Sequence, residues 1–362
     1  MSSNIAGLDP GGPDEMGREL AEGPRAVAET LAGLATGGAD LAALVAGAAR
    51  VQLVGTGASL AMAQTAEAWL RHARAGRPVL VRESSVALMG PADAEAFLPG
   101  DLAIILSQSG TSPETRAAAR VARAAGAITL AITADDDGPL AREADIVVHT
   151  PSGPEGGAAT KSELAALAAL AALARALPVD AAAIARLRDA LEAVVTDTAP
   201  AAAAGAFMAR ARVAWLVGFG ASHGAALAGA MLFHEKALLP CAALTPSGFR
   251  HGPIEAATPG DVVVALDLDS PEERRATYLA RLSRELAEIG VPLVVIGAAP
   301  KVVGPGVAIP VAAAPGPGAA LEGILRLQQV ARAGAHARGT YMDGFRILRR
   351  VVAAADDLAI SR

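Results

Sequence analysis

Two stretches decide the fold: Arg50–Ser59, RVQLVGTGAS, and Arg212–Ser222, RVAWLVGFGAS. Each is a short apolar run that ends in V-G-x-G-A-S, and self-similarity of this kind marks a duplicated unit. An Ala-rich stretch without internal proline follows each turn, Leu60–Ala73 in the first case and His223–Ala237 in the second. The spacing predicts a helix packed back on the preceding strand. The parallel continues downstream. Gly100-Asp101 precedes the run LAIILS and Gly260-Asp261 precedes VVVALD, while AITLAIT after Gly126 matches VPLVVIG after Gly290. Buried strands alternating with helices imply right-handed βαβ crossovers, hence an α/β protein with one parallel, flavodoxin-like sheet in each half.

The expected organisation is a tail and helix in 1–37, a first α/β unit in 38–178, a helical connector in 179–202, a second unit in 203–338 and a C-terminal tail in 339–362. A break is expected at Gly23-Pro24 within the N-terminal helix, because proline removes a helical donor. The apolar stretch Ala214–Phe233 has the length of a membrane span, but Gly218, Gly220, Ser222, His223 and Gly224 interrupt it. It reads as strand, turn and helix.

Composition narrows the function. Hydrophobic residues make up 52% of the 362-residue chain and aromatics only 3%, which suits helices laid on parallel sheets. A net charge of -6 without a long basic run disfavours nucleic acid or an anionic membrane as partner. Cys241 is the only cysteine, which excludes an intramolecular disulfide, a thiolate metal cluster and a CxxC pair, and a cytoplasmic location is expected. The six histidines have no metal-ligand spacing, neither Gly turn completes G-x-G-x-x-G, and G-x-x-x-x-G-K-[ST] is absent. Chemistry without metal or nucleotide cofactor is therefore expected.

The segment Ser107-Gln108-Ser109-Gly110-Thr111-Ser112 leaves a strand and enters a helix near Pro113. Hydroxyls and amides converging on a helix N-terminus make a phosphate site without needing Lys or Arg. A capping turn of serines is the plainer reading of such a loop. The duplicate tips the balance, because its matching loop, Asp267-Leu268-Asp269-Ser270-Pro271-Glu272-Glu273, carries carboxylates that repel a dianion. Ser59, at the same sheet edge, is a further candidate contact. A second constellation, His234-Glu235-Lys236 with Ser247–Pro253 (SGFRHGP), offers a carboxylate and an imidazole. Taken alone these are a solvated helix face and a turn histidine.

Together, Ser107–Gly110 (SQSG), Gly153–Lys161 (GPEGGAATK) and Phe249–Pro253 (FRHGP), in order within a duplication, resemble the sugar isomerase (SIS) domain family over nearly the whole chain. The resemblance is to tandem-SIS proteins such as the isomerase half of glutamine–fructose-6-phosphate aminotransferase and the SIS-type glucosamine-6-phosphate deaminases. It implies that Ser59, Ser107, Gln108, Ser109 and Ser112 hold a sugar phosphate, that Ala159 and Arg350 contact substrate, that Glu235 shuttles a proton and that His251 assists ring opening. It also implies a homodimer with the site at the subunit interface. Aldose–ketose interconversion needs such a carboxylate beside the reacting carbons and a group able to protonate a ring oxygen. Several departures narrow the expectation. Ala228 and Leu232 stand where the aminotransferase has an acid and a lysine, and Arg350 stands near its terminal lysine; an arginine forms no imine. The 156–159 stretch is one residue shorter and lacks a sugar-contacting serine. No cysteine lies near the start, so glutaminase activity is not expected. The expected function is an isomerase or deaminase of a hexose or hexosamine 6-phosphate; the alternative is a non-catalytic phosphosugar sensor acting through a partner protein.

Overall fold

The computed structural model describes residues 14–85, 97–269, 273–298 and 301–347. The chain order is α1 (Glu15–Gly33), α2 (Gly38–Gly47), β1 (Val51–Gly55), α3 (Ala58–Ala73), β2 (Val79–Glu83), β3 (Leu102–Leu106), α4 (Pro113–Ala124), β4 (Ile128–Thr133), α5 (Pro139–Glu143), β5 (Ile146–His149) and α6 (Lys161–Leu173). The helices α7 (Ala181–Thr196) and α8 (Ala199–Met208) connect to the second half. There follow β6 (Ala214–Gly218), α9 (Ala221–Glu235), β7 (Cys241–Leu244), α10 (Pro246–Arg250), β8 (Val262–Asp267), α11 (Glu273–Glu288), β9 (Leu293–Gly297), β10 (Gly306–Pro310) and α12 (Pro317–Arg338).

Each half builds a five-stranded, all-parallel sheet, ordered β2-β1-β3-β4-β5 and β10-β9-β8-β6-β7. Read from the other edge, the second order becomes β7-β6-β8-β9-β10, the same topology as the first. Both follow the flavodoxin-like order, whose ligands collect at the C-terminal strand ends. The register matches too: Val54 pairs with Ile105, and Val217 with Ala265. Ser107 is therefore the counterpart of Asp267, Ser109 of Asp269, and Ser59 of Ser222. An ion pair beneath each sheet repeats as well, Arg50 to Asp101 at 2.6 Å and Arg212 to Asp261 at 3.3 Å.

One large core of Ala, Val, Leu and Ile runs between the sheets, and a smaller core lies on each outer face. The central contact is between α3 and α9, the two helices that follow the Gly turns. Gly224 on α9 sits directly against the Thr65 backbone on α3, where a side chain would collide. This close approach brings the end of α9 towards the first half. In each turn the glycine closing the strand is equally constrained, since a Cβ on Gly55 would lie 2.9 Å from the Ser59 carbonyl carbon.

The expected break at Gly23-Pro24 does not occur, because α1 runs unbroken through Pro24. Both residues are buried, Gly23 lies against Leu164, and α1 packs along α6 and α7. That tertiary packing outweighs the hydrogen bond proline forfeits. The Ala214–Phe233 stretch is β6, a turn and α9, as read. Among the described residues no single helix is long and apolar enough to cross a membrane.

Candidate functional site

At the C-terminal ends of β1, β3 and β4, a small cavity of about 40 Å³ is lined by Ser59, Ser107, Gln108, Thr150, Ala159 and Glu163, among others. The residues come from different elements. Ser59 is in the first turn of α3, Ser107 and Gln108 follow β3, Thr150 follows β5, and Glu163 is in the first turn of α6. The first turns of α3 and α6 thus flank one space with hydroxyls and an amide on its wall; Glu155 already takes the α6 amides, so an anion is accommodated from the α3 side.

The loop after β3 is open rather than covered, with Ser109 and Thr111 exposed and Gln108 and Ser112 half-buried. Gly110 turns it through a left-handed conformation (φ 63°), and its amide donates to Ser107 Oγ at 3.2 Å. Ser109 and Ser112 share the loop but do not line the cavity. Ser109 Oγ pairs with Thr111 Oγ1 at 2.9 Å, and Ser112 Oγ donates to Glu114 at 3.1 Å. Although Ser112 sits at the N-cap of α4, its side chain makes no capping bond, which leaves those helix amides open.

The duplicate is occupied by its own carboxylate. Asp269 accepts from the amides of Ala221 and Ser222, each at 3.2 Å, and from Ser222 Oγ at 3.0 Å. The start of α9 is therefore already neutralised by an internal anion, at the place corresponding to Ser59 and the first turn of α3.

Glu235 ends α9, half-buried, and burial pushes its carboxyl up to about 7 against the opposing effect of Lys236. Its charge in turn helps to raise Glu163, so the two carboxyls lie within electrostatic reach of each other. His251, by contrast, is exposed at the end of α10 and makes no side-chain hydrogen bond to a described residue. Arg350 lies outside the described residues.

Three polar groups at the cavity escaped the sequence reading: Thr150, Ser162 and Glu163. The last two directly follow the Gly153–Lys161 run and continue its chemistry into α6. Glu155, inside that run, caps α6 by accepting from the amides of Thr160 at 3.0 Å and Ser162 at 2.9 Å. Among the described residues no group of His, Cys, Asp and Glu could hold a metal ion. The Cys241 thiol is pushed up to about 12 by burial, which suppresses its nucleophilic thiolate.

Residues 44–176 match the SIS domain family. The glutamine–fructose-6-phosphate aminotransferase of Aeropyrum pernix is 32% identical over 281 residues, covering 72% of this chain and 45% of its own length. The chain thus spans less than half of that relative. Among solved structures, the C-terminal domain of glucosamine-fructose-6-phosphate aminotransferase from Francisella tularensis superposes with a TM-score of 0.76 at 21% identity, covering 93% of this chain and all of that one. Tagatose-6-phosphate ketose/aldose isomerase from Escherichia coli gives 0.78 at 23% identity, over 90% of this chain and 93% of that one. At these identities the structures establish the shared fold.

Proposed function

This is a SIS-domain protein, and we propose that it isomerises or deaminates a hexose or hexosamine 6-phosphate. In this reading 38–178 and 203–338 are the two SIS units and the first carries the phosphate. The observation that carries it is the convergence of Ser59, Ser107 and Gln108 on one cavity, with a carboxyl tuned near neutrality, Glu235, in electrostatic reach of its wall.

The roles follow from the chemistry. The hydroxyls of Ser59 and Ser107, the Gln108 amide and the open amides at the start of α4 hold the phosphate, with Ser109 and Ser112 turning to it from the loop. Phosphate binding places the sugar carbons where Glu235 takes a proton from one carbon and returns it to the neighbour, through an enediol or enolamine. A carboxyl poised near neutrality is suited to both steps. His251 protonates the ring oxygen to open the sugar and, being exposed and remote from its own chain's hydrogen-bond network, would do so in the site of a second copy. Ala159 lines the sugar end, and Arg350 is assigned there by its place in the tail. The buried Cys241 thiol, held neutral, takes no part in this reading.

The test is proton exchange followed by NMR in D2O with fructose 6-phosphate and glucosamine 6-phosphate. Solvent deuterium should appear at the carbon next to the carbonyl. Binding without exchange for every phosphosugar tried would favour the sensor reading.

A further inference from the structure

Glu163 is the most deeply buried acid at the cavity, with 3% of its surface exposed. Its only described hydrogen bond is at Oε2, which accepts from Gln328 Nε2 on α12 at 3.0 Å. Oε1 takes no bond from a described residue, although the side chain lines the same cavity as Ser107 and Gln108. A carboxyl this deeply set, with one oxygen open to the cavity and without a described partner, is placed to bond a ligand there.

The surroundings decide which proton state provides it. Glu155, from the loop before α6, and Glu235, from α9, both act on Glu163 with negative charge. The nearest cations are engaged elsewhere: Lys161 pairs with Glu22 of α1, and Lys236 with Glu15 and the 340–347 segment. From α1, Glu19 engages Thr160, while α12 presents the uncharged Gln328, and α3 and β4 present Ser59, Met62 and Ile132. Among the described residues no positive charge is paired with the carboxylate, and a bound phosphate dianion would add to the repulsion. Burial and these neighbours raise the pKa well above the ordinary carboxylate range.

We propose that Glu163 is a substrate-contacting residue whose carboxyl stays neutral and donates a hydrogen bond from Oε1 to an oxygen of the bound phosphosugar. This rests on the phosphosugar reading of the cavity. Gln328 fixes the geometry: by donating to Oε2 it makes that atom the carbonyl oxygen and leaves the hydroxyl to Oε1. Affinity therefore depends on a proton that the protein, not the ligand, supplies. It falls as pH rises through the pKa of Glu163 in the free protein.

The experiment is calorimetric titration of the full chain with fructose 6-phosphate and glucosamine 6-phosphate from pH 6.5 to 9, for wild type, Glu163→Gln and Glu163→Leu. Because Glu235 titrates in the same range, the comparison is between variants at each pH. Glutamine keeps a donor that does not ionise, so E163Q should bind like wild type near neutrality and lose the alkaline decline due to Glu163. E163L should bind about 10-fold more weakly near neutrality, the worth of one hydrogen bond. If E163L does not fold, the E163Q profile alone decides. E163L binding as tightly as wild type, or E163Q declining with pH as wild type does, would overturn the proposal. If wild type binds neither sugar phosphate, the phosphosugar reading itself fails and takes this proposal with it.

Discussion

Lys236 Nζ donates to the carbonyl oxygen of Gly344 at 3.0 Å, so the residue next to Glu235 is the anchor of the segment that follows α12. The ammonium is 1% exposed, reaches Met342 O at 3.3 Å, and lies 5.7 and 5.8 Å from the ring centroids of Tyr341 and Phe345. Glu15, at the start of α1, joins the same node through the Gly344 amide at 2.6 Å. Lys236→Ala leaves buried carbonyls without a donor, at a cost of about 1–3 kcal/mol. Hydrogen exchange should show loss of protection centred on 340–347 together with a lower melting temperature; unchanged exchange there would remove the anchoring role.

Replacing Glu235 by Gln preserves shape and removes the proton acceptor. Proton exchange in D2O should fall by about 100-fold or more, the scale of general acid–base catalysis, while phosphosugar affinity holds. For the wild type, the carboxylate is the form that abstracts the proton. The kcat/KM of exchange should therefore rise with pH through about 7, before ionisation of Glu163 lowers affinity at more alkaline pH. A pH-independent rate between 6 and 8 would assign the base elsewhere.

The asymmetry between the halves predicts a matched pair of results. Ser107→Ala should weaken phosphosugar binding by about 3- to 10-fold, one neutral hydrogen bond. Asp267→Ala, at the corresponding position of the duplicate, should leave it unchanged. Titration calorimetry on both variants checks this, and equal losses would show that the two sheets share the ligand.

Glu163 also makes a stability prediction with a defined sign. An acid whose pKa is raised on folding holds its proton in the native state after the unfolded chain has lost it. Stability therefore falls as pH rises from the unfolded value, near 4.5, towards the higher folded one. Glu163→Gln, which cannot ionise, should become progressively more stable than wild type as pH rises above about 5 in urea denaturation. A difference that does not change with pH would mean the carboxyl is not buried in its neutral form.

The duplication and the central strands were legible because β1, β3, β4, β6, β8 and β9 are apolar runs flanked by repeated Gly signals. The edge strands β2, β5, β7 and β10 were not singled out. They are short and only partly buried, and VLVRE and IVVH carry polar residues that a two-sided core strand excludes. The hydroxyl loop was legible because its neighbours in sequence are its neighbours in space. Glu163 was hidden for the opposite reason: an Ala-rich helix bearing one acid reads as solvated until α3, α9 and α12 close around it. Pro24 shows the same limit, since only the packing of α1 on α6 tells that the helix survives it.

The carboxylate of Asp269 has a consequence for stoichiometry. A duplicated fold would ordinarily offer two equivalent pockets and saturate at two equivalents, with the possibility of crosstalk between them. Here one of the pair carries a permanent tenant, covalently part of the chain, that no rise in metabolite concentration can compete away. If the first half binds a phosphosugar as proposed, saturation at one equivalent per polypeptide is the expected outcome, and the second half is left to serve as the platform from which α9 presents its last turn.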